Sequence, residues 1–343
     1  MRHLRPNVNY PIPSLSVIKT KFVNRSKVWL IVKICLALTA VWFIYLKVTH
    51  HESSGDYINQ LLAALSGSEA LLLFSVVFVL MLLNWLIEAV KWRYMIKKIE
   101  EVSVGRAMEA VFSGLTISFF TPNRIGEYAG RVFHLHKGKR MQATLVTVIE
   151  NSSQLLVTLL SGSIACIIYM NDYMDISPMM NVLFRIMLIL FCLFCLVLYF
   201  NLDLFEKFSQ RFKMSEYWKQ IFHVFSLYSG ADLFKVLLLS LFRYLVFSIQ
   251  FYLLLYAYGS YLPILPSLLM IAMTFFVMSV IPTFTLTELG VRGAIAVYFF
   301  GKLTIDVVPV LNATFSLWLI NLVVPAVLGA VFIFHFRLEK NER

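Results

Sequence analysis

The sequence predicts an all-α polytopic membrane protein with six full spans and two opposed re-entrant hairpins arranged as an inverted repeat. Three observations predict it. The 343 residues are 59% hydrophobic and only 14% charged, with a mean hydropathy of +0.77, and a soluble domain lacks the polar side chains to cover such a chain. The cations gather in some connections and avoid others, as the positive-inside rule requires. Two apolar stretches end in a proline and a charged cluster instead of a clean interface: "SFFTPNRIGEYAGRVF" (118–133) and "IPTFTLTELGVRGAI" (281–295).

The elements follow in order. A basic, proline-containing tail (1–27) precedes an apolar run at 28–48, which is too long for a signal-peptide core and has no small-x-small cleavage site; it reads as a retained anchor. With about 20 apolar residues per crossing, further spans are expected at 70–92, 142–169, 182–200, 235–258 and 307–335. The tail carries Arg2, Arg5, Lys19, Lys21, Arg25 and Lys27, so it is cytoplasmic; the next loop has Glu52, Asp56 and Glu69 and is external. Lys91, Arg93, Lys97, Lys98 and Arg106 return the chain to the cytoplasm.

The apolar piece 104–121 then breaks the alternation. If it crossed, Arg124, Arg131, Lys137, Lys139 and Arg140 would all lie outside, yet the cation-free "MNDYMDIS" one span later also belongs outside. A hairpin that dips in, turns near Pro122 and returns to the same side removes the conflict. Lys207, Arg211, Lys213, Lys219 and Lys235 keep the connection 201–234 inside, and Leu204, Phe205, Phe208, Phe212, Trp218, Phe222 and Phe225 give it an amphipathic helical pattern. The piece 264–281 turns at Pro282 in the same way from the external side, before the last span returns to a cytoplasmic tail, 336–343. The segment 28–335 is thus one transmembrane domain with repeat-like halves at about 70–169 and 235–335.

The two hairpin tips echo each other. In each a proline is followed by Glu-x-x-x-Arg: Glu127 and Arg131 in the first, Glu288 and Arg292 in the second. Inverted repeats built on broken helices are the architecture of alternating-access transporters, with the site at the repeat interface. Backbone broken by proline at membrane depth needs protein or a wet cavity around it, and each ionisable group at mid-bilayer costs about 2.5–3.5 kcal/mol. Arg124, Glu127, Arg131, Glu288 and Arg292 are therefore candidate substrate-binding residues, with Pro122, Gly126, Pro282 and Gly290 at the turns. Arg124 offers a planar fork suited to phosphate. The alternative is a pair of shallow loops whose charges snorkel to water.

Other polar residues rank lower. Glu150, beside Asn151 and Gln154, faces the bundle interior and serves either the cavity or helix-helix hydrogen bonding. Arg243 and Gln250 share a helix face. Glu88, Lys91 and Arg93 read as an interfacial anchor, and Asn321, Pro325 and Gly329 as a kink or close packing. Gly126-x-x-x-Gly130 is a close-packing signal. Cys35, Cys166, Cys192 and Cys195 lie in apolar runs and read as small hydrophobes, the "CLFC" spacing notwithstanding; His134 and His136 of "HLH" read as a wet loop. No cofactor or metal is implied. The net charge of +11 is accounted for by the loops, and no nucleic-acid motif accompanies it.

On "FFTPNRIGEYAGR" and "IPTFTLTELGVRGA" the chain resembles the lysylphosphatidylglycerol synthase transmembrane region, a flippase-like family, over roughly 30–335. The resemblance implies an inner-membrane protein handling a lipid, an anionic phospholipid or an aminoacylated one, and carries over Pro122, Arg124, Gly126, Glu127, Arg131, Pro282, Glu288 and Gly290. Two departures stand out: Glu150 is followed by Asn151 where many relatives have Glu-Arg, and the second turn reads "PTFTLTELG" where many are glycine-rich. No stretch outside the spans is long enough for an aminoacyltransferase domain, so the synthase name does not transfer. The function expected is a lipid translocase. The alternatives are a membrane-embedded lipid-modifying enzyme using Glu127 or Glu288 as a base, or a non-transporting partner of a separate lipid synthase such as a phosphatidylglycerol lysyltransferase.

Overall fold

The computed structural model describes residues 67–121, 124–174, 176–211, 216–282 and 285–341. The predicted span 28–48, the tail 1–27 and the turn residues Pro122 and Asn123 lie outside them. The described residues are helical throughout, and five helical stretches among them are long and apolar enough to cross a membrane.

The first, α1 (Ser68–Ile96), has Glu69 in its first turn and Arg93 in its last, each complementing the helix dipole. It runs four residues beyond the predicted end. The next helix, α2 (Val104–Phe119), starts where Ser103 accepts the Arg106 N–H. Its 16 residues span about 24 Å, short of the ~30 Å hydrocarbon core. The chain then turns back into α3 (Gly126–Val132), which packs along α2. That approach depends on glycine: a Cβ on Gly130 would sit 2.5 Å from Gly114 Cα.

The long α4 (Arg140–Tyr173) follows, then α5 (Pro178–Phe200), which starts on a Ser177 cap with proline in its first turn. Only Leu188 and Tyr199 of α5 are buried, so nearly its whole surface faces outward. The predicted amphipathic stretch is two short helices, α6 (Asp203–Arg211) and α7 (Glu216–Phe222), and a 3-10 turn over His223–Leu227. The Tyr228 hydroxyl donates to Met95 O at 2.8 Å and docks this connection on the end of α1.

A capping box of Ser229 and Asp232 opens α8 (Gly230–Ala257). Two shorter helices follow, α9 (Ile264–Val280) and α10 (Thr285–Phe300), both below the crossing length. The last span is one path of three pieces: α11 (Val308–Trp318), a π-turn over Leu319–Val323, and α12 (Val324–Asn341). Pro325 lacks the N–H that residue Asn321 would otherwise receive, and the widened turn absorbs this loss.

In packing, α1 pairs with α8, α2 lies against α12, and α9 lies against α4. A glycine makes each of the last two crossings. A Cβ on Gly329 would fall 2.1 Å from Phe112 O, and one on Gly162 would fall 2.3 Å from Phe276 Cβ. Two apolar clusters result, one around Trp92, Phe112 and Val146, the other around Phe251, Met270 and Phe300.

Candidate functional site

Most of α1 is an apolar helix with Leu71, Leu72, Leu82, Leu83 and Leu86 exposed on its outer face. One stripe differs. Asn84, Glu88 and Lys91 recur at helical spacing and are all buried. Glu88 and Lys91 are buried against other helices and do not extend to the outside of the protein. The expectation of a snorkelling anchor is therefore corrected for these two, while Arg93 is half-buried and its Nε donates to Val102 O at 2.8 Å.

Around that stripe a buried ion network closes. Lys91 Nζ lies 3.0 Å from Glu88 Oε2 and 2.9 Å from Glu150 Oε1 on α4. Arg131, at the end of α3, reaches Glu150 Oε2 at 2.8 Å, and it also pairs with Glu88 and with Glu127 one turn back. Arg243 on α8 meets Glu88 Oε2 at 2.7 Å and donates to Asn84 Oδ1 at 3.0 Å. Glu88, Lys91, Arg131 and Glu150 are each at most 1% exposed. Such charges persist in a low-dielectric interior only when paired, and here each is. Asn84 continues the chain of contacts to Asn321 in the π-turn at 3.4 Å.

A second cluster joins Arg124, just before α3, to α10. Arg124 donates to Glu288 Oε1 and Oε2 at 3.2 and 3.0 Å, and Arg292 pairs with the same carboxylate. Arg124 adopts a φ of 55°, a left-handed backbone that is uncommon for a non-glycine residue and concentrates at functional sites. Its side chain remains 41% exposed.

Between the clusters lies a cavity of about 520 Å³. Arg124, Arg243, Glu288, Arg292 and Gln154 are among its polar lining, and Phe247, Phe275, Met278 and Val280 among its apolar lining. The sequence-predicted residues thus divide. Arg124, Glu288, Arg292 and Pro282 line the cavity, whereas Glu127, Arg131 and Glu150 belong to the buried network beside it. Gly126 packs tightly, since a Cβ there would lie 2.7 Å from Ile117 O; Gly290 is half-buried in α10. Arg243 and Gln250 both face α1, the latter donating to Val77 O at 2.9 Å.

Sequence reasoning did not select Trp85 and Trp318, and it placed Glu88 and Lys91 at the interface. The signal for the latter pair was available: with Asn84 they repeat every three to four residues on one face of a mostly apolar helix. The "HLH" loop divides too. His136 is exposed beside Glu100. His134 Nε2 lies 3.0 Å from Ser113 Oγ, and burial, with Arg106 nearby, holds it below the usual histidine range.

Residues 30–329 match the profile of a known family, described as the lysylphosphatidylglycerol synthase TM region. No curated protein matches the chain.

Proposed function

We propose, from the premise that this chain belongs to the lysylphosphatidylglycerol synthase TM region family, that this integral membrane protein is a lipid translocase of flippase type. A phospholipid or modified lipid places its headgroup against the polar lining of the cavity while its acyl chains stay against the apolar lining and the bilayer. The observation that carries this reading is the cavity itself, about 520 Å³ and lined by three arginines together with aromatic and aliphatic side chains. Cavities of this volume suit ligands of some tens of atoms.

In this reading α2–α3 and α9–α10 are re-entrant hairpins entering from opposite faces, and the membrane is a bacterial-type inner membrane with both termini cytoplasmic. The reciprocal packing supports an inverted repeat. The first arm of each hairpin lies against the long helix that follows the other hairpin, α2 on α12 and α9 on α4, and each crossing has its glycine. The Arg124–Glu288 pair joins the tips. A ligand oxyanion that drew Arg124 away would separate them, which is the coupling that alternating access requires.

The lipid-modifying alternative is less well supported, because Glu127 and Glu288 are each held by an arginine, and a general base must be free to take a proton. The test is headgroup transfer between leaflets in liposomes holding wild type, Arg124→Ala or Glu127→Gln. Wild type is expected to move the lipid unchanged, and both variants to slow it about tenfold, the scale of one charge-assisted hydrogen bond. Equal rates in all three remove the site. Covalent product supports the enzyme, and inactivity without a separate lipid synthase supports the partner role.

A further inference from the structure

Adjoining the main cavity is a side chamber of about 70 Å³, which shares Arg124, Arg243, Glu288 and Arg292 with it and adds Trp85 and Trp318. Its electrostatics are one-sided. Three arginines line it against a single carboxylate, Glu288, which already serves both Arg124 and Arg292. Arg243 is met from behind by Glu88. Across both ion clusters five cations (Lys91, Arg124, Arg131, Arg243, Arg292) face four carboxylates (Glu88, Glu127, Glu150, Glu288).

The hydrogen-bond accounting points the same way. The indole N–H groups of Trp85 and Trp318 and the Nε–H of Arg292 are buried and have no partner. Trp85 is 4% and Trp318 9% exposed. Buried donors without an acceptor are costly and rare, and the three residues that hold these all line one small chamber. Gln154, whose buried amide oxygen also lacks a partner, lines the main cavity and not the chamber. The Tyr244 hydroxyl, likewise buried without a partner, lines the main cavity with Gln154.

We propose that the side chamber seats a phosphate oxyanion, so that the cavity takes an anionic phosphate-ester headgroup in preference to a cationic, aminoacylated one. Phosphate oxygens would accept from the two indoles and from the arginines together, while Gln154 receives a headgroup hydroxyl in the main cavity. An added ammonium would enter a cation-rich wall, which disfavours it by like-charge repulsion. The lipid source of the phosphate rests on the translocase reading; the seat itself does not.

The test uses the purified full chain in dodecyl maltoside, a phosphate-free micelle. One arm adds phosphatidylglycerol or lysylphosphatidylglycerol and reads retention by native mass spectrometry; the other adds glycerol 3-phosphate and reads thermal shift. Phosphatidylglycerol is expected to be retained about tenfold better, and Trp318→Phe or Trp85→Phe to weaken retention about tenfold. Trp218→Phe, in α7, should change nothing. Arg292→Lys, which keeps the charge and removes the fork, is the further variant if an indole replacement fails to fold. Glycerol 3-phosphate binding that depends on the two tryptophans, without lipid retention, supports the seat and counts against the translocase. Equal or better retention of lysylphosphatidylglycerol overturns the proposal and leaves the translocase standing. Phosphatidylglycerol retention indifferent to all chamber variants, or no binding in either arm, overturns it as well.

Discussion

At the scale of single residues the centre of this protein is Glu88, a carboxylate 1% exposed that meets Lys91, Arg131 and Arg243. Its charge is tolerable because three cations surround it, and theirs because it is there. Glu88→Gln keeps the shape and removes the charge, leaving those cations with Glu127 and Glu150 alone. Removing one partner of a buried ion pair costs roughly 3–5 kcal/mol, so the variant should lose most of its folded yield and melt far lower in detergent. Lys207→Ala breaks the exposed pair with Asp203 and should shift the melt little, since such pairs contribute about 0–1 kcal/mol. A Glu88→Gln protein that melts with wild type would mean the network is not a structural element.

At the scale of elements, short arms and close crossings define the architecture. The helices α2 and α9 are shorter than the hydrocarbon core is thick, and each buries one face against a long helix. Glycine sets the separation at both crossings, and neither site has room for a side chain. Gly329→Val would drive carbon into the Phe112 carbonyl, and Gly162→Val into the Phe276 ring. Overpacking typically costs about 1–3 kcal/mol, and backbone obstruction puts Gly329→Val at or above the top of that range. Gly105→Val, where nothing lies within 4 Å, is the matched control. Melting in detergent checks all three, with both crossing variants expected below the control. The π-turn at Leu319–Val323 belongs to the same scale: Pro325 relaxes the helix, and that irregularity presents Asn321 to Asn84.

At the scale of the whole molecule the question is which face each connection occupies. If α2–α3 and α9–α10 are re-entrant, as proposed, the residues before and after each share a side. In a cysteine-free background, Glu101→Cys and Gly138→Cys should react with an impermeant maleimide only from the cytoplasm. Tyr261→Cys and Ile305→Cys, 71% and 82% exposed at the native residues, should react only from outside. If Glu101 and Gly138 label from opposite faces, α2–α3 crosses the membrane and the hairpin arrangement is lost.

Length, hydropathy and loop charge by themselves determined a multi-pass helical protein and the positions of the five long apolar helices among the described residues to within a few residues. They did so because helix formation in lipid is local: twenty apolar residues must satisfy their own backbone whatever surrounds them. The family, too, was legible in the two motifs. The i,i+4 pairs Glu127–Arg131 and Glu288–Arg292 followed from helical spacing alone. Only the tertiary structure decided that Glu88 and Lys91 are core residues, since their partners Arg131, Glu150 and Arg243 come from three other helices, up to 155 residues away. It also decided that Arg124 is tied to Glu288 on α10, 164 residues away, and that two tryptophan N–H groups are buried without an acceptor on residues that line a chamber with the arginines. Such pairings depend on how helices cross and at what depth. Crossing geometry is set by side chains distant in the chain, and a local periodic pattern carries no record of it.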